Sequence, residues 1–530
     1  LPLPARPGRY ETPPPSRKVL LGVRKRINLR EADGVIDRKF RPFVILCLGW
    51  AASWQVPLHG ASEEVIREKW ESAFIGSDRI GYFHTVTRQT AASGQTILHT
   101  RQHGKLTIQR FGQKMSMETI SDFFELADGR LYSTLSQSQI ASEVTKSQGT
   151  LVGPGKFRVT INSKGNKLEE TLDWPAGILG PHAQEESIRN QKLAPGEKRN
   201  FKTFLPELNV VSTRTLQAKE KAETPLPGGK TGNLLEVKET TDAAPIESSL
   251  WLDEAGETVK MSMPLAGFQM TTYRTNKEDA LQATDGGQTD LGYQTLVKPD
   301  KPIPHAHSLP STTYRLRFAD QAAADSIPES AHQKILSKEG STLVVRIQRA
   351  RPENKPAPSP GDEFLGNNSY IQPDNPKVRA VVDEATKGYE DPWEKANLLE
   401  AWVDGHMTNQ DFSIGFASSN EIIDTRRGDC TEHAVLLAAL CRAAGIPARV
   451  AMGLVYLEQS SSFGYHMWTE VFIGGNWYAL DGTIGQGSIG AGHIKIADGS
   501  LKGVDANSTF LPIFKVIGKL QIEVMSLGDP

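Results

Sequence analysis

Apolar and polar residues alternate in short runs over residues 62–285, and this period of two is typical of β-strands with one buried face. The clearest alternating runs are residues 71–89, 127–137, 155–174, 232–240 and 248–263. Asp-Gly, Lys-Gly and Ala-Gly pairs interrupt the runs, and such pairs form tight turns between antiparallel strands. The pattern therefore predicts an antiparallel β-rich domain over 62–285, while residues 193–201 and 275–288 are interpreted as turns or linkers.

A smaller group of strands is predicted over residues 286–360. Residues 311–321 and 341–350 alternate as strands do, and the Pro-rich stretch 351–363 is typical of a link between domains. We predict that this segment leads into a further domain over residues 361–526.

The pattern changes to a mixture of helices and strands in residues 361–526. Apolar residues recur at helical spacing in 377–388 and 392–407, whereas residues 447–458 alternate as a strand does. The sequence thus predicts a C-terminal α+β domain preceded by antiparallel β-rich domains.

The stretch GDCTEHAVLLAALCRAAGIP carries clear signals for both ends of a helix. Asp429 followed by Glu432 forms a capping box, and Gly445 before Ile-Pro supplies a stop. The apolar residues between these signals predict a helix from about 430 to 444.

Cys430 is the first residue of this predicted helix. Unpaired N–H groups at a helix start carry partial positive charge, which favours a thiolate and makes Cys430 a candidate nucleophile. A small core residue is the alternative interpretation for Cys430 alone. The same interpretation is preferred for Cys441, which lies deep in the helix.

Downstream, GYHMWTEVFIGGNWYALDGT has strand-forming residues on both sides of Gly-Gly, which is typical of a two-residue hairpin turn. If this turn sets the register, Ile473 pairs with Asn476, and His466 and Asp481 become diagonal neighbours on one face. The opposite face suits packing on a core, and its residues are Met467, Val471, Ile473, Tyr478 and Leu480. A slip of one residue would move His466 and Asp481 to the core face.

A thiol at a helix start, followed by His and Asp on one hairpin, is the arrangement of a thiol acyl-transfer triad. In this triad His466 would accept the proton of Cys430 and return one to the leaving amine, and Asp481 would fix the tautomer of His466. A metal site of Cys430, His433 and His466 is the rival interpretation, but paired ligand spacings such as Cys-x-x-Cys are missing. No metal is predicted.

These motifs resemble the core of the transglutaminase-like superfamily. Its pattern has a Gly-x-Cys helix start, a Gly-Ile-Pro-x-Arg exit, a His-x-Trp strand and a strand that ends in Asp, and all four occur in GDCTEHAVLLAALCRAAGIPARV and YHMWTEVFIGGNWYALD. The resemblance covers roughly residues 364–525. It implies a papain-like α+β scaffold with the cysteine helix packed on an antiparallel sheet. It also implies that Cys430 is the nucleophile, His466 the base and Asp481 its orienting partner.

The resemblance further implies an oxyanion site built from the N–H of the nucleophile and an upstream side chain. Animal members use a Trp there, and HMTNQDFS in this sequence has none. Asn409 or Gln410 is therefore the candidate donor. Trp468 and Trp477 are candidates for the substrate groove, with packing residues as the alternative, and Arg449 of the Gly-Ile-Pro-x-Arg exit is expected to be structural.

Composition excludes several classes of protein. A formal net charge of −2 over 530 residues gives no general attraction to nucleic acid or to an anionic membrane. The Gly-rich stretch 485–497 lacks the Lys-Ser/Thr ending of a phosphate loop, so no nucleotide and no other cofactor is predicted, and His493 within it is left out of the predicted site. The three cysteines, Cys47, Cys430 and Cys441, exclude a disulfide framework.

The N-terminal region suggests export. Residues 1–37 are rich in Pro and Arg and are predicted to be disordered. Residues 38–61 begin with basic residues, continue with about a dozen apolar ones and end with small ones, which is the layout of a signal peptide. An anchor or a buried strand is the alternative. Export would place the protein in the periplasm or cell envelope, with the cytoplasm as the alternative, and a membrane is a partner only if 38–61 remain as an anchor.

Two classes of function follow from the sequence. The first is an enzyme in which Cys430 attacks a carboxamide of a protein or peptide substrate, with amide hydrolysis preferred over transglutaminase cross-linking. The second is a non-catalytic binding protein of the cell envelope that retains the fold. The enzyme is preferred because Cys430, His466 and Asp481 are all present.

Overall fold

The structure is a computed structural model of the 530-residue chain. It describes residues 63–530 except for 93–94, 141–142, 164–165, 244–246, 266, 285–286, 354, 408, 411–415, 488, 504–505, 507–508, 510 and 529–530. The predicted disordered tail (1–37) and the predicted signal or anchor (38–61) lie outside the described residues. In the described part of the chain, every helix is too short or too polar to cross a membrane.

Strands predominate along the described chain. In chain order they are β1 Glu64–Ile75, β2 Asp78–Ala92, β3 Gln95–Arg110, β4 Gln113–Leu126, β5 Leu131–Ile140, β6 Glu143–Gly153, β7 Lys156–Ser163, β8 Asn166–Asp173, β9 Lys198–Leu205, β10 Val210–Leu226, β11 Lys230–Thr241, β12 Glu247–Leu252, β13 Thr258–Leu265, β14 Phe268–Thr275, β15 Ser311–Arg317, β16 Gln333–Glu339, β17 Thr342–Gln348, β18 Asn409–Gln410, β19 Arg427–Gly428, β20 Ala448–Leu457, β21 Ser462–Ile473, β22 Asn476–Leu480, β23 His493–Gly499 and β24 Gln521–Leu527.

The α-helices are short, apart from two in the C-terminal region. They are α1 Pro181–Asn190, α2 Lys277–Ala280, α3 Leu291–Gln294, α4 Gln321–Asp325, α5 Pro376–Ala385, α6 Pro392–His406, α7 Ser419–Thr425, α8 Cys430–Ala443 and α9 Leu511–Val516. The helices predicted over 377–388, 392–407 and 430–444 correspond to α5, α6 and α8 within three residues at each end.

Strands β1 to β14 form one antiparallel sheet, so the β-rich N-terminal region predicted from the alternating pattern is confirmed. Each strand pairs with its neighbours in sequence, except that β1 also pairs with β14 and that β8 and β9 lie at opposite ends. The β1–β14 ladder, with Trp70 opposite Thr275, joins the two halves of the sheet. Tight turns such as Phe111-Gly112, both with positive φ, connect the strands.

The two ends of this sheet approach each other around an aromatic cluster. The ring of Phe157 on β7 stacks on Trp174 with 3.8 Å between ring centroids, and it packs edge-on against Phe204 on β9 with 5.2 Å between centroids. Helix α1 lies beside this cluster, where the Glu125 carboxylate accepts hydrogen bonds from N–H groups in its first turn. A cavity of about 380 Å³ lies between α1 and the strands, and charged pairs such as Arg214–Glu239 line it.

Two stretches interpreted as turns or linkers contain regular structure. Strand β9 begins at Lys198, so the interpretation of 193–201 is wrong for its second half. Helix α2 lies within 275–288 because the Asn276 side chain accepts a hydrogen bond from the Asp279 N–H and caps the helix. Helix α2 has only four residues, too few for periodicity to reveal it, whereas β9 has eight and follows closely on the turn signal Pro195-Gly196.

A four-stranded sheet in the order β16-β17-β15-β24 follows the large sheet in the chain. Strands β15 and β17 fall in the predicted stretches 311–321 and 341–350. The outer strand β24 comes from residues 521–527, so the small sheet draws on both the predicted 286–360 segment and the predicted 361–526 domain.

The C-terminal region contains helices α5 to α8 and a sheet in the order β22-β21-β20-β23. Ala, Leu and Val cover all sides of α8, and this helix is buried along almost its whole length. Its Ala434 carbonyl accepts a hydrogen bond from Thr469 on β21, so α8 packs directly on the sheet. The core between them holds the predicted apolar face of the hairpin, from Met467 to Leu480.

The hairpin of β21 and β22 has the predicted register. Ile473 pairs with Asn476 across Gly474-Gly475, and the pairing continues without a shift to Thr469 opposite Leu480. Both turn glycines have positive φ, as a two-residue hairpin turn requires. The register places Asp481 just beyond the end of β22 and beside the part of β21 that carries His466.

Candidate active site

Helix α8 begins at Cys430, and the predicted capping box is present at its start. The Asp429 carboxylate accepts a hydrogen bond from the Thr431 N–H at 2.9 Å, and the Glu432 carboxylate accepts one from the Asp429 N–H at 2.9 Å. Cys430 is half-buried at the positive end of the helix. Cys441 is fully buried, and burial raises its pKa, which agrees with a core residue.

The Gly before Asp429 has a steric explanation. Gly428 has a φ of +147°, and a Cβ on it would lie 2.4 Å from the Cβ of Glu432. Glu432 cannot move away easily, because its other carboxylate oxygen accepts a hydrogen bond from the Ala417 N–H at 3.1 Å. The Gly-x-Cys start therefore lets a buried Glu432 side chain fold back over the backbone that leads into Cys430.

His466 and Asp481 are brought together by the hairpin. The Nε2 atom of His466 lies 2.7 Å from Oδ2 of Asp481, and Oδ1 of Asp481 accepts a hydrogen bond from the Thr483 N–H at 2.9 Å. Both side chains are buried, with 7% and 2% of their surfaces exposed. An ionised carboxylate only accepts hydrogen bonds, so Nε2 of His466 carries a hydrogen and Nδ1 is left to face Cys430.

Charges in the site stabilise the imidazolium form of His466. Burial opposes this charge, but the charge of Asp481, the charge of Cys430 and hydrogen bonds with both raise the pKa of His466 well above its usual range. Burial likewise opposes ionisation of Asp481, but the charge and hydrogen bond of His466 and the hydrogen bond of His493 hold its pKa well below the usual range. The three side chains Cys430, His466 and Asp481 therefore form one electrostatic unit.

His493 belongs to the same unit, although the sequence analysis left it out. Its Nε2 lies 2.9 Å from Oδ2 of Asp481, the oxygen that His466 also contacts. Strand β23 places it there, because β23 pairs with β20 on the side away from β21. Gly453 on β20 pairs with His466, and a Cβ on it would lie 1.9 Å from the Ile494 carbonyl oxygen and 2.9 Å from the Trp468 ring, so only Gly fits there.

Glu400 on α6 is a second residue that the sequence analysis missed. Its carboxyl oxygens accept hydrogen bonds from the Asp481 N–H at 2.9 Å and the Gly487 N–H at 2.7 Å. Burial raises the pKa of Glu400 to about 9, so the group is uncharged at neutral pH and adds no second negative charge beside Asp481. Its helical position offered no signal, because a Glu within a helix is ordinarily a surface residue.

The candidate oxyanion residues lie in strand β18, next to the start of α8. Asn409 pairs with Arg427 and Gln410 pairs with Gly428, two residues before Cys430. The backbone of this segment is therefore adjacent to the candidate nucleophile.

The two candidate groove tryptophans occupy different places. Trp468 is 1% exposed, and its ring centroid lies 5.3 Å from that of His493. Trp468 therefore lies beneath the histidines rather than along an open groove. Trp477 lies at the hairpin turn under the guanidinium of Arg449, at 4.1 Å, and the structure does not bring it to His466. Arg449 also pairs with Glu470 at 2.7 Å, in agreement with its expected structural role.

The residues His466, Asp481 and His493 could also hold a metal ion, because their ligand atoms lie within 4.8 Å of one another. The rival set of Cys430, His433 and His466 is less favourable. The Nδ1 atom of His433 lies 2.7 Å from the Asp429 carbonyl oxygen, so this ring is engaged with the helix start.

Comparison with known proteins finds a family model that matches part of the C-terminal region. Residues 379–482 match the model of the transglutaminase-like superfamily, and the resemblance in the sequence is thereby confirmed over this segment. The segment contains Cys430, His466 and Asp481. No curated protein shows significant similarity to the chain.

Solved structures align with parts of the chain at low identity and low TM-score. A candidate cysteine protease from Cytophaga hutchinsonii is 22% identical, with 42% of this chain and 88% of that one aligned at a TM-score of 0.28. A beta-barrel-like protein of a domain of unknown function from Brucella abortus is 15% identical, and the alignment covers 39% of this chain and 95% of that one at a TM-score of 0.30. A candidate protease from Parabacteroides distasonis is 12% identical, and the alignment covers 64% of each chain at a TM-score of 0.18.

Proposed function

We propose that the chain is an enzyme that transfers acyl groups from protein or peptide carboxamides through Cys430, His466 and Asp481. The observation that carries the proposal is the 2.7 Å contact between His466 and Asp481, next to a Cys at the start of a buried helix. The family match of residues 379–482 supports the same chemistry. In this proposal the C-terminal region has the papain-like α+β arrangement, with α8 as the nucleophile helix.

The reaction follows from the positions of the three groups. The sulfur of Cys430 attacks the carboxamide carbon, the C–N bond breaks, and His466 delivers its proton to the departing amine. Water then attacks the thioester carbon and gives a proton to His466, the C–S bond breaks, and the acid leaves as the Cys430 thiolate and the His466 imidazolium are restored. The negative oxygen formed in both steps would be held by the Cys430 N–H, which as a first-turn N–H has no partner within its own helix, and by Asn409 or Gln410.

Hydrolysis is the preferred outcome, and cross-linking by attack of a second amine is the alternative. Both share the thioester, so the acceptor decides between them. A binding protein without activity is the remaining alternative, and it assigns no role to the charge relation among Cys430, His466 and Asp481. The large sheet would present or select the substrate, and export would place the reaction in the cell envelope.

The first test is the rate at which iodoacetamide alkylates Cys430 as a function of pH. The raised pKa of His466 keeps its imidazolium charged as the pH rises past the usual histidine range, and the lowered pKa of Asp481 keeps its carboxylate charged as the pH falls. We therefore expect rapid alkylation to persist well below pH 8. In His466→Ala the alkylation rate should show the pH dependence of an ordinary thiol, with its midpoint at about pH 8.5.

Two internal comparisons make this test decisive. Buried Cys441 should react only when the protein unfolds. His84→Ala removes a histidine of the N-terminal sheet that pairs with Glu68, and it should leave the profile of Cys430 unchanged. A profile of Cys430 that matches an ordinary thiol in the wild-type protein would favour the binding protein instead.

A further inference from the structure

The Asp481 carboxylate receives two histidines on one oxygen. Oδ2 lies 2.7 Å from Nε2 of His466 and 2.9 Å from Nε2 of His493. We infer that His493 is a positioning residue that holds Asp481 toward His466 by donating a hydrogen bond to the same oxygen. This inference rests on the proposed function, because it assigns His493 a role in the Cys430–His466–Asp481 unit.

The chemistry of the carboxylate fixes which nitrogen of His493 carries the hydrogen. Ionised Asp481 has no hydrogen to give, so Nε2 of His493 must be the donor. Burial lowers the pKa of His493 to about 3, so the ring is neutral and has one N–H only. The Nδ1 atom, which then has none, makes no hydrogen bond to the described residues.

The His493 ring is held from outside the sheet that contains it. The ring of His307 lies 5.5 Å away, and Nε2 of His332 lies 3.2 Å from the His493 carbonyl oxygen. These residues come from the segments before β15 and β16. With 1% of its surface exposed, His493 has little freedom to turn away from Asp481.

The Asp481 carboxylate is thereby fixed on all sides. His493 and His466 engage Oδ2, the Thr483 N–H engages Oδ1, and the Asp481 N–H is bound to Glu400. The titratable groups facing Asp481 and His493 from the surrounding elements are His307, His332, Glu400, His433 and His466. Without the donor from His493, Oδ2 would be held by His466 alone, and the carboxylate would be easier to protonate.

The test compares two substitutions that differ in one N–H. His493→Leu fills a similar volume without a donor, whereas the amide of His493→Gln can place an N–H near the position of Nε2. We expect alkylation of Cys430 at pH 6 to slow by about tenfold in His493→Leu and to return to within about threefold of wild type in His493→Gln. The acid limb of the profile should move to higher pH in His493→Leu, because Asp481 protonates more readily without its donor.

Equal profiles for His493→Leu and wild type would overturn the inference. A second measurement observes the ring in the wild-type protein: the imidazole nitrogen shifts of ¹⁵N-histidine-labelled wild-type protein, with the His493 signals identified by their loss in His493→Gln. A neutral ring with its hydrogen on Nε2 supports the inference, and a hydrogen on Nδ1 overturns it. Alkylation that depends on His493 in a protein that processes no carboxamide would refute the proposed function and retain the positioning role.

A different observation connects the N-terminal sheet to the candidate nucleophile. The β3–β4 turn reaches the start of α8, where Nη1 of Arg110 lies 3.1 Å from Oδ2 of Asp429. The turn is held in place by Asp290, whose carboxylate accepts hydrogen bonds from the Phe111 and Gly112 N–H groups at 2.9 and 2.6 Å. The geometry assigns Arg110 as a second positioning residue, supplied by a sheet that is distant in sequence.

Charge explains what Arg110 would do. Asp429 is 4% exposed on its side chain and directly precedes Cys430, so its negative charge opposes a thiolate on its neighbour. Arg110 offsets that charge, and its own side chain is 31% exposed. The large sheet thus contributes to the electrostatics of the nucleophile without touching the reacting atoms.

The prediction is that Arg110→Gln slows alkylation of Cys430 at pH 6 by about threefold, because Asp429 loses its counter-charge. Arg110→Lys keeps the charge and should stay near the wild-type rate. Lys105→Gln removes an equal charge from the same strand, about 17 Å from Arg110, and is the matched control. An Arg110→Gln rate equal to that of Lys105→Gln would overturn the assignment, whether or not a carboxamide substrate is found.

Discussion

Cys430→Ala is expected to abolish ammonia release from glutamine peptides and cleavage of peptide substrates, with a melting temperature within a few degrees of wild type. The activity is lost because no other group in the site can form the thioester. The fold is retained because a half-buried residue at a helix start loses one sulfur atom and no large apolar area. The measurements are turnover on a glutamine peptide, with and without an added amine, and a thermal melt.

The matched control is Cys441→Ala in the same helix. It deletes a buried sulfur and should lower stability by about 1 kcal/mol through a small cavity, but it should leave turnover per folded molecule intact. Residual activity of Cys430→Ala above that of a heat-treated sample would refute the thiol mechanism. Incorporation of the added amine, rather than release of acid, would select cross-linking over hydrolysis.

Asp481→Asn should lower turnover by roughly 10³–10⁴-fold and leave Cys430 open to alkylation. The amide can donate an N–H to Nε2 of His466, so it no longer requires the tautomer with its hydrogen on Nε2 and a bare Nδ1 toward the thiol. It also removes the charge that holds the pKa of His466 well above its usual range. Turnover and alkylation measured on one preparation separate these effects.

Asp498→Asn is the appropriate comparison. Asp498 is also an ion-paired Asp of the C-terminal sheet, but its partners are Arg449 at 2.5 Å and Lys495 at 2.8 Å rather than a histidine. This substitution should lower the melting temperature and spare turnover per folded molecule. If Asp481→Asn lost no more turnover than Asp498→Asn, Asp481 would have no part in the chemistry.

The hairpin shows how far the sequence determines the site. Local signals are sufficient there, because Gly474-Gly475 sets the turn type, the turn sets the register, and a period of two assigns the faces. The helix start of Cys430 is similarly local, since cap and stop residues lie within a few positions of the ends. The proximity of His466 and Asp481 follows from the turn and register of the hairpin alone, without any tertiary information.

His493 and Arg110 could not be found in this way. His493 reaches Asp481 only because β23 pairs with β20 rather than with its neighbour in sequence, and no residue near His493 encodes that choice. Arg110 reaches Asp429 across 319 positions of chain. In both cases the contact depends on long-range packing, for which a single sequence contains no periodic signal.

The pairing of β24 with β15 has a consequence for synthesis on the ribosome. Arg315 on β15 contacts Glu523 on β24 across 208 positions, which corresponds to roughly 10–40 s of translation. Until residue 527 has emerged, one edge of β15 is unpaired, and the neighbouring sheet that supports His493 through His332 is incomplete. The nascent chain would therefore acquire its fixed Asp481 late, and a ribosome that stalled before β24 would hold a partly folded product with an exposed strand edge for chaperones to recognise.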